Sequence, residues 1–143
     1  MIDWMTLPLK RYAQFSGRSR PKEYWLFVLF CILVGFVATM ADYMLCYGAA
    51  TRTISDVPGS YWASVQYVGG GPVLLIWGLA TLIPGLAVAV RRLHDSDHSG
   101  WWLLIGFVPF VGGIVIFVFM VIGGTRGSNR FGPDPVATPP IAA

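Results

Sequence analysis

A chain of 143 residues with 55% apolar residues, 12% charged residues and a mean hydropathy of +0.63 has too little charge to cover a water-facing surface, since soluble domains carry about twice that share. The length is that of one domain, and the net charge of +3 is spread along the flanks of apolar runs rather than gathered on one face, which excludes a nucleic-acid surface. The only cysteines, Cys31 and Cys46, would stand about 22 Å apart on a helix, beyond disulfide reach and unlike a metal-binding pair.

Residues 1–22 form an amphipathic lead. Ile2, Trp4, Met5, Leu7, Leu9, Tyr12 and Phe15 stand among Lys10, Arg11, Arg18, Arg20 and Lys22. That mixture predicts a short interfacial helix after Pro8. The run 24–41 carries no charge. As a helix it covers about 27 Å, and extension to Met44 crosses the hydrocarbon fully. Pro21 suits the first turn of that helix and Glu23 its positive end. Thr39-Met40-Ala41 would be a weak signal-peptidase site, but the charged lead is too long and further apolar runs follow, so an uncleaved anchor is expected.

A polar and aromatic connection is expected over 42–71, with Arg52, Asp56, Tyr43, Tyr47, Tyr61, Trp62 and Tyr67 suited to an interface. The second uncharged run is 72–90, where Pro84 predicts a kink and Gly85 with Ala89 a close helix contact. Arg91 and Arg92 end it. The third run, 101–122, is interrupted by Pro109 and Gly112-Gly113. It is either one kinked span or a re-entrant hairpin, because neither half alone is long enough to cross.

The expected fold is an all-α membrane protein. It has three hydrophobic segments (about 24–44, 72–90 and 101–122) in a single polytopic domain 1–130, and a disordered tail over 131–143. Five of the ten Lys and Arg residues precede the first run, one lies in the long connection, two follow the second run and two follow the third. With three full spans and a cytoplasmic N-terminus the split is seven inside against three outside. If the third run turns back it becomes nine against one. Either way the positive-inside rule puts the N-terminus in the cytoplasm.

Nearly all distinctive polar chemistry lies in three edge segments. They are Ser16-Gly17-Arg18-Ser19-Arg20-Pro21-Lys22-Glu23-Tyr24-Trp25, Arg91-Arg92-Leu93-His94-Asp95 leading to Ser99-Gly100-Trp101-Trp102, and Gly127-Ser128-Asn129-Arg130-Phe131-Gly132-Pro133-Asp134-Pro135. In this order and combination they resemble the DUF805 family of small bacterial inner-membrane proteins. The resemblance covers most of the chain, implies a multi-pass protein of the bacterial cytoplasmic membrane, and supplies no mechanism.

His94, Asp95, Asp97 and His98 form a compact cluster of metal-type ligands. Asp97 and His98 fall outside the family's pattern, and a solvated turn is the simpler reading, so no metal or cofactor is expected. Arg91 and Arg92 serve as orientation anchors or as guanidinium forks for an anionic headgroup. The candidate lipid- or ligand-binding set is Arg18, Arg20, Arg91, Arg92, His94, Asp95, Asn129, Arg130 and Asp134. These meet at one cytoplasmic edge only if the third run turns back. The function expected is non-catalytic, binding membrane lipid, a second copy or a membrane partner protein through that edge. A small transporter or channel subunit is the alternative, although no span carries a charge. A surface enzyme using His94 and Asp95 is a further one.

Overall fold

The computed structural model describes residues 2–54 and 71–137. Helix α1 is Ile2–Lys10, α2 is Pro21–Ile54, α3 is Pro72–Asp95 and α4 is Val111–Val121, with a 3₁₀ helix at Gly100–Phe107 between the last two. Among the described residues the only β-type pairing is an isolated bridge between Asn129 and Gly132. The chain is therefore all-α over its described part, with two long apolar helices and a shorter one.

The two long helices start as the residues dictate. Pro21 and Pro72 each occupy the first helical position, where the missing N–H has no partner to lose. Glu23 adds a negative charge to the first turn of α2. Pro21–Leu45 and Pro72–Asp95 are long and apolar enough to cross a membrane. Much of their apolar surface is uncovered: Ile32 is 62% exposed, Phe36 65% and Ile76 67%. A water-soluble chain does not leave apolar surface on that scale without a partner.

Four boundaries differ from the sequence expectation. The N-terminal helix contains Pro8 instead of following it. Pro8 sits near the helix end and is buried beside Leu7, so burial of the ring offsets the one backbone bond it removes. Helix α2 continues past residue 44 to Ile54, where a connection was expected. The rest of that connection, 55–70, lies outside the described residues. Helix α3 runs on through Arg91–Asp95, driven by complete burial of Leu93. Residues 131–137 are tied down rather than loose. The Phe131 N–H donates to Asn129 Oδ1 at 2.9 Å, and Arg20 Nε donates to the Pro135 carbonyl at 2.6 Å. Residues 138–143 of the expected tail lie outside the described residues.

The chain divides into two compact units, one of Cys31–Thr81 and one of Met1–Phe30 with Leu82–Ala143. In the first, α2 and α3 run antiparallel. Trp77 Nε1 donates to the Cys31 carbonyl at 3.4 Å, and Asp42 accepts from the N–H groups of Val73 at 2.9 Å and Leu74 at 2.8 Å. Asp42 thus caps α3 from a neighbouring helix, satisfying donors that the start of any helix leaves unpaired.

In the second unit, Ala89 and Leu93 of α3 and Met120 of α4 form a buried core. Tyr24, Leu103, Ile116 and Phe119 pack around it. The third apolar run reverses within this unit. Its hinge is a γ-turn at Phe110 (φ 65°, ψ −50°), closed by the Val111 N–H on the Pro109 carbonyl at 2.8 Å. Such a turn is rare for a bulky side chain and needs support from its surroundings. Gly112 provides some of that support, since a Cβ there would collide with the Ile105 carbonyl. The ring of Trp102 near the start of the run lies 5.5 Å from that of Phe119 near its end. Beyond the run, the Thr125 N–H donates to the Asp95 carbonyl at 2.9 Å. The chain thus returns to the end of α3 that it left.

Candidate functional site

That return brings the three polar segments together. Asp95, on the last turn of α3, is their meeting point. Arg18 Nε donates to Asp95 Oδ1 at 2.9 Å, and Arg92 Nη1 to Oδ2 at 3.0 Å. The second pair is one helical turn in length, as an i,i+3 spacing allows. Arg18 spends its remaining donors on the returning segment: Nη1 reaches the Gly127 carbonyl at 2.6 Å and Nη2 the Thr125 carbonyl at 2.5 Å. One guanidinium therefore joins the N-terminal lead, the end of α3 and the C-terminal segment. Gly124 passes so close to the Asp95 carboxylate that a Cβ there would overlap it.

Arg91 faces Glu23 of α2, with Nη2 3.3 Å from Oε1, while its carbonyl accepts from the Ser19 N–H at 3.1 Å. Arg18, Arg91, Arg92, Glu23 and Asp95 are all buried. This unit thus buries three guanidinium groups and two carboxylates. Burying charges costs several kcal/mol per ion unless each is paired and hydrogen-bonded. Here the pairing is incomplete. Arg91 Nη1 and Nη2 and Arg92 Nε and Nη2 have no hydrogen-bond partner among the described residues, nor do the Ser19 hydroxyl and Glu23 Oε1, which stands against Arg91 Nη2 as an ion pair without hydrogen-bond geometry.

The remaining candidates lie around this core. The His94 ring stacks on Phe131 at 3.9 Å between centroids, and its Nδ1 lies 3.2 Å from the Gly17 carbonyl. Asn129 Nδ2 donates to the His94 carbonyl at 2.8 Å. Arg20 holds the Pro135 carbonyl and stands over the Trp4 ring at 5.6 Å. Arg130 pairs with Asp97 at 3.2 Å, both exposed, which makes that bridge weak. Asp134 accepts from the Val136 and Gly127 N–H groups at 2.8 and 3.0 Å, and these bonds hold its carboxyl below the usual carboxylate range.

The metal-type cluster does not assemble. Among the described residues no three His, Cys, Asp or Glu side chains are placed to hold an ion. Asp95 is committed to arginines, Asp97 to Arg130, and His98 Nδ1 lies 2.6 Å from the Ser96 carbonyl. Asp95 engages Arg18 and Arg92, so the carboxylate that would orient His94 in a catalytic pair is taken up elsewhere. Sequence reasoning missed Glu23, Ser19 and Thr125 as members of the cluster. Glu23 was legible only as a helix-start residue, because its partner lies 68 positions away in sequence.

Comparison with known proteins places the chain among inner-membrane proteins. The chain is 41% identical over 139 residues to the inner membrane protein YhaH of Escherichia coli K12, covering 96% of this chain and 100% of that one. It is 41% identical over 134 residues to the inner membrane protein YhaI of the same organism, covering 94% and 96%. No solved structure matches it. The family model described as "Protein of unknown function (DUF805)" matches residues 12–133, a stretch that holds the first two polar segments and the third as far as Pro133, and the chain belongs to that family of inner-membrane proteins.

Proposed function

We propose that the protein is a multi-pass, non-catalytic inner-membrane protein with a cytoplasmic N-terminus, in which α2 and α3 span the bilayer and the third apolar segment is re-entrant. Its working part is the polar edge assembled by that reversal, which binds anionic lipid at the cytoplasmic surface. The observation that carries this reading is the meeting of three distant polar segments on Asp95, with more buried arginine than carboxylate around it. A re-entrant third segment also places nine of the ten Lys and Arg residues on one side. Short α1, with Trp4 beneath Arg20 and Lys22, then lies at the headgroup level.

A polybasic edge attracts an anionic leaflet by about 1 kcal/mol per cation near the surface. Exposed Arg126 and Arg130 supply that general attraction. The lipid carried by protein purified in a neutral detergent tests the reading. Anionic lipid should be enriched over its share in the source membrane. A lipid composition equal to that of the bulk membrane would refute it.

A further inference from the structure

Arg18, Arg91 and Arg92 bring three positive charges, Glu23 and Asp95 two negative ones, and all five side chains are buried. Among the described residues of this unit, one positive charge is therefore left without a buried counterpart. The shortfall has a location. Arg18 has every nitrogen bonded, to Asp95, Gly127 and Thr125. The unsatisfied donors are on Arg91 and Arg92, which are 1% and 0% exposed.

A buried guanidinium donor without a partner forfeits the hydration it had in water, and native proteins rarely tolerate several such atoms close together. The charge of Arg11 also bears on Arg91, adding to the positive field there. Planar forks of N–H donors match phosphate oxygens in geometry as well as in charge. Water would satisfy the donors but leave the charge. A carboxylate on the chain would satisfy both, yet Asp95, Asp97 and Asp134 have partners of their own and Glu23 already stands against Arg91.

We propose that Arg91 and Arg92, with the unpartnered hydroxyl of Ser19, whose backbone N–H bonds the Arg91 carbonyl, form a binding site for a single phosphate group. It is supplied by an anionic lipid headgroup or by free phosphate, and it neutralises the surplus buried charge. The proposal rests on the reading of the polar edge as the working part and narrows it to two residues. Arg18 and Asp95 are positioning residues: they tie the C-terminal segment to α3 and keep Arg92 in place.

The experiment compares the wild type with the double variant R91K/R92K, in neutral detergent micelles. The micelles are doped with phosphatidylglycerol or with phosphatidylcholine, or receive inorganic phosphate. Lysine keeps both charges and most of the buried stem while removing the fork, so Glu23 and Asp95 keep cationic partners. If the double variant loses helical circular dichroism, R92K alone replaces it. The readouts are the thermal midpoint and the number of lipids retained per chain by native mass spectrometry.

Phosphatidylglycerol should raise the wild-type midpoint, with one lipid retained, and bind at least about tenfold more weakly to the variant. A shift reproduced by inorganic phosphate assigns the site to free phosphate; a shift with phosphatidylglycerol alone assigns it to the headgroup. Equal retention by wild type and variant would overturn the assignment to Arg91 and Arg92 while leaving lipid binding at the edge intact. Phosphatidylglycerol no better than phosphatidylcholine, with phosphate silent, would overturn both.

Discussion

Asp95 holds two buried arginines and, through Arg18, the returning C-terminal segment. Removing its charge leaves those guanidinium groups uncompensated, and breaking a buried pair in this way costs about 3–5 kcal/mol. Asp95→Asn should therefore lower the thermal midpoint far more than Asp97→Asn, whose bridge to Arg130 is exposed. Equal effects in detergent-solubilised protein would contradict the central place given to Asp95. Gly124→Ala should also destabilise, by about 1–3 kcal/mol, since its new methyl group meets the Asp95 carboxylate. A pH effect belongs to Asp134. The Val136 and Gly127 N–H groups hold its folded-state pKa below the ordinary value. Its contribution is present above the unfolded pKa and is lost as pH falls through the folded one. Amide protection factors at Gly127 and Val136, with the intrinsic pH dependence of exchange divided out, should accordingly fall only below the normal carboxylate range and hold steady between neutral and mildly acidic pH.

The elements were legible in the sequence to the extent that composition decides them. Two uncharged runs opened by Pro21 and Pro72 could only be long apolar helices, and both are. Their ends were harder to place, because burial of Leu93 carries α3 past the point where charge appears, and α2 runs on through a mixed stretch with few strong helix formers. The third run left two readings open, since Pro109 and the adjacent glycines suit a kink as well as a reversal. What decides between them is packing across the run, through Trp102 on Phe119 and Gly112 against the Ile105 carbonyl, and no local pattern announces such contacts. The three polar segments were legible as segments, but which of their side chains pair was not. Glu23–Arg91 and Arg18–Asp95 join residues far apart in sequence. Met120 is 1% exposed in the core that α4 shares with α3, while Ile114 on the same helix is 66% exposed. Met120→Ala should cost about 2–5 kcal/mol and Ile114→Ala well under 1.5. Similar costs at the two positions would mean that α4 does not pack as described.

At the scale of the whole molecule the account depends on one topological statement. If the third apolar segment enters the bilayer and returns, the basic lead, the Arg91–Asp95 turn and the Asn129–Pro135 segment share the cytoplasmic side, and a buried arginine cluster can serve anionic lipid there. If it crosses, the cluster cannot exist in the membrane as it stands in the structure, because Thr125 and Asp95 would be separated by the bilayer. The deciding measurement is the side of the C-terminus in intact bacteria. It uses paired fusions after Ala143, one to a reporter active only in the cytoplasm and one to a reporter active only in the periplasm. The account predicts activity from the cytoplasmic reporter and silence from the periplasmic one. The reverse pattern would contradict it, dissolving the composite site and returning each polar motif to an anchoring role at its own membrane surface.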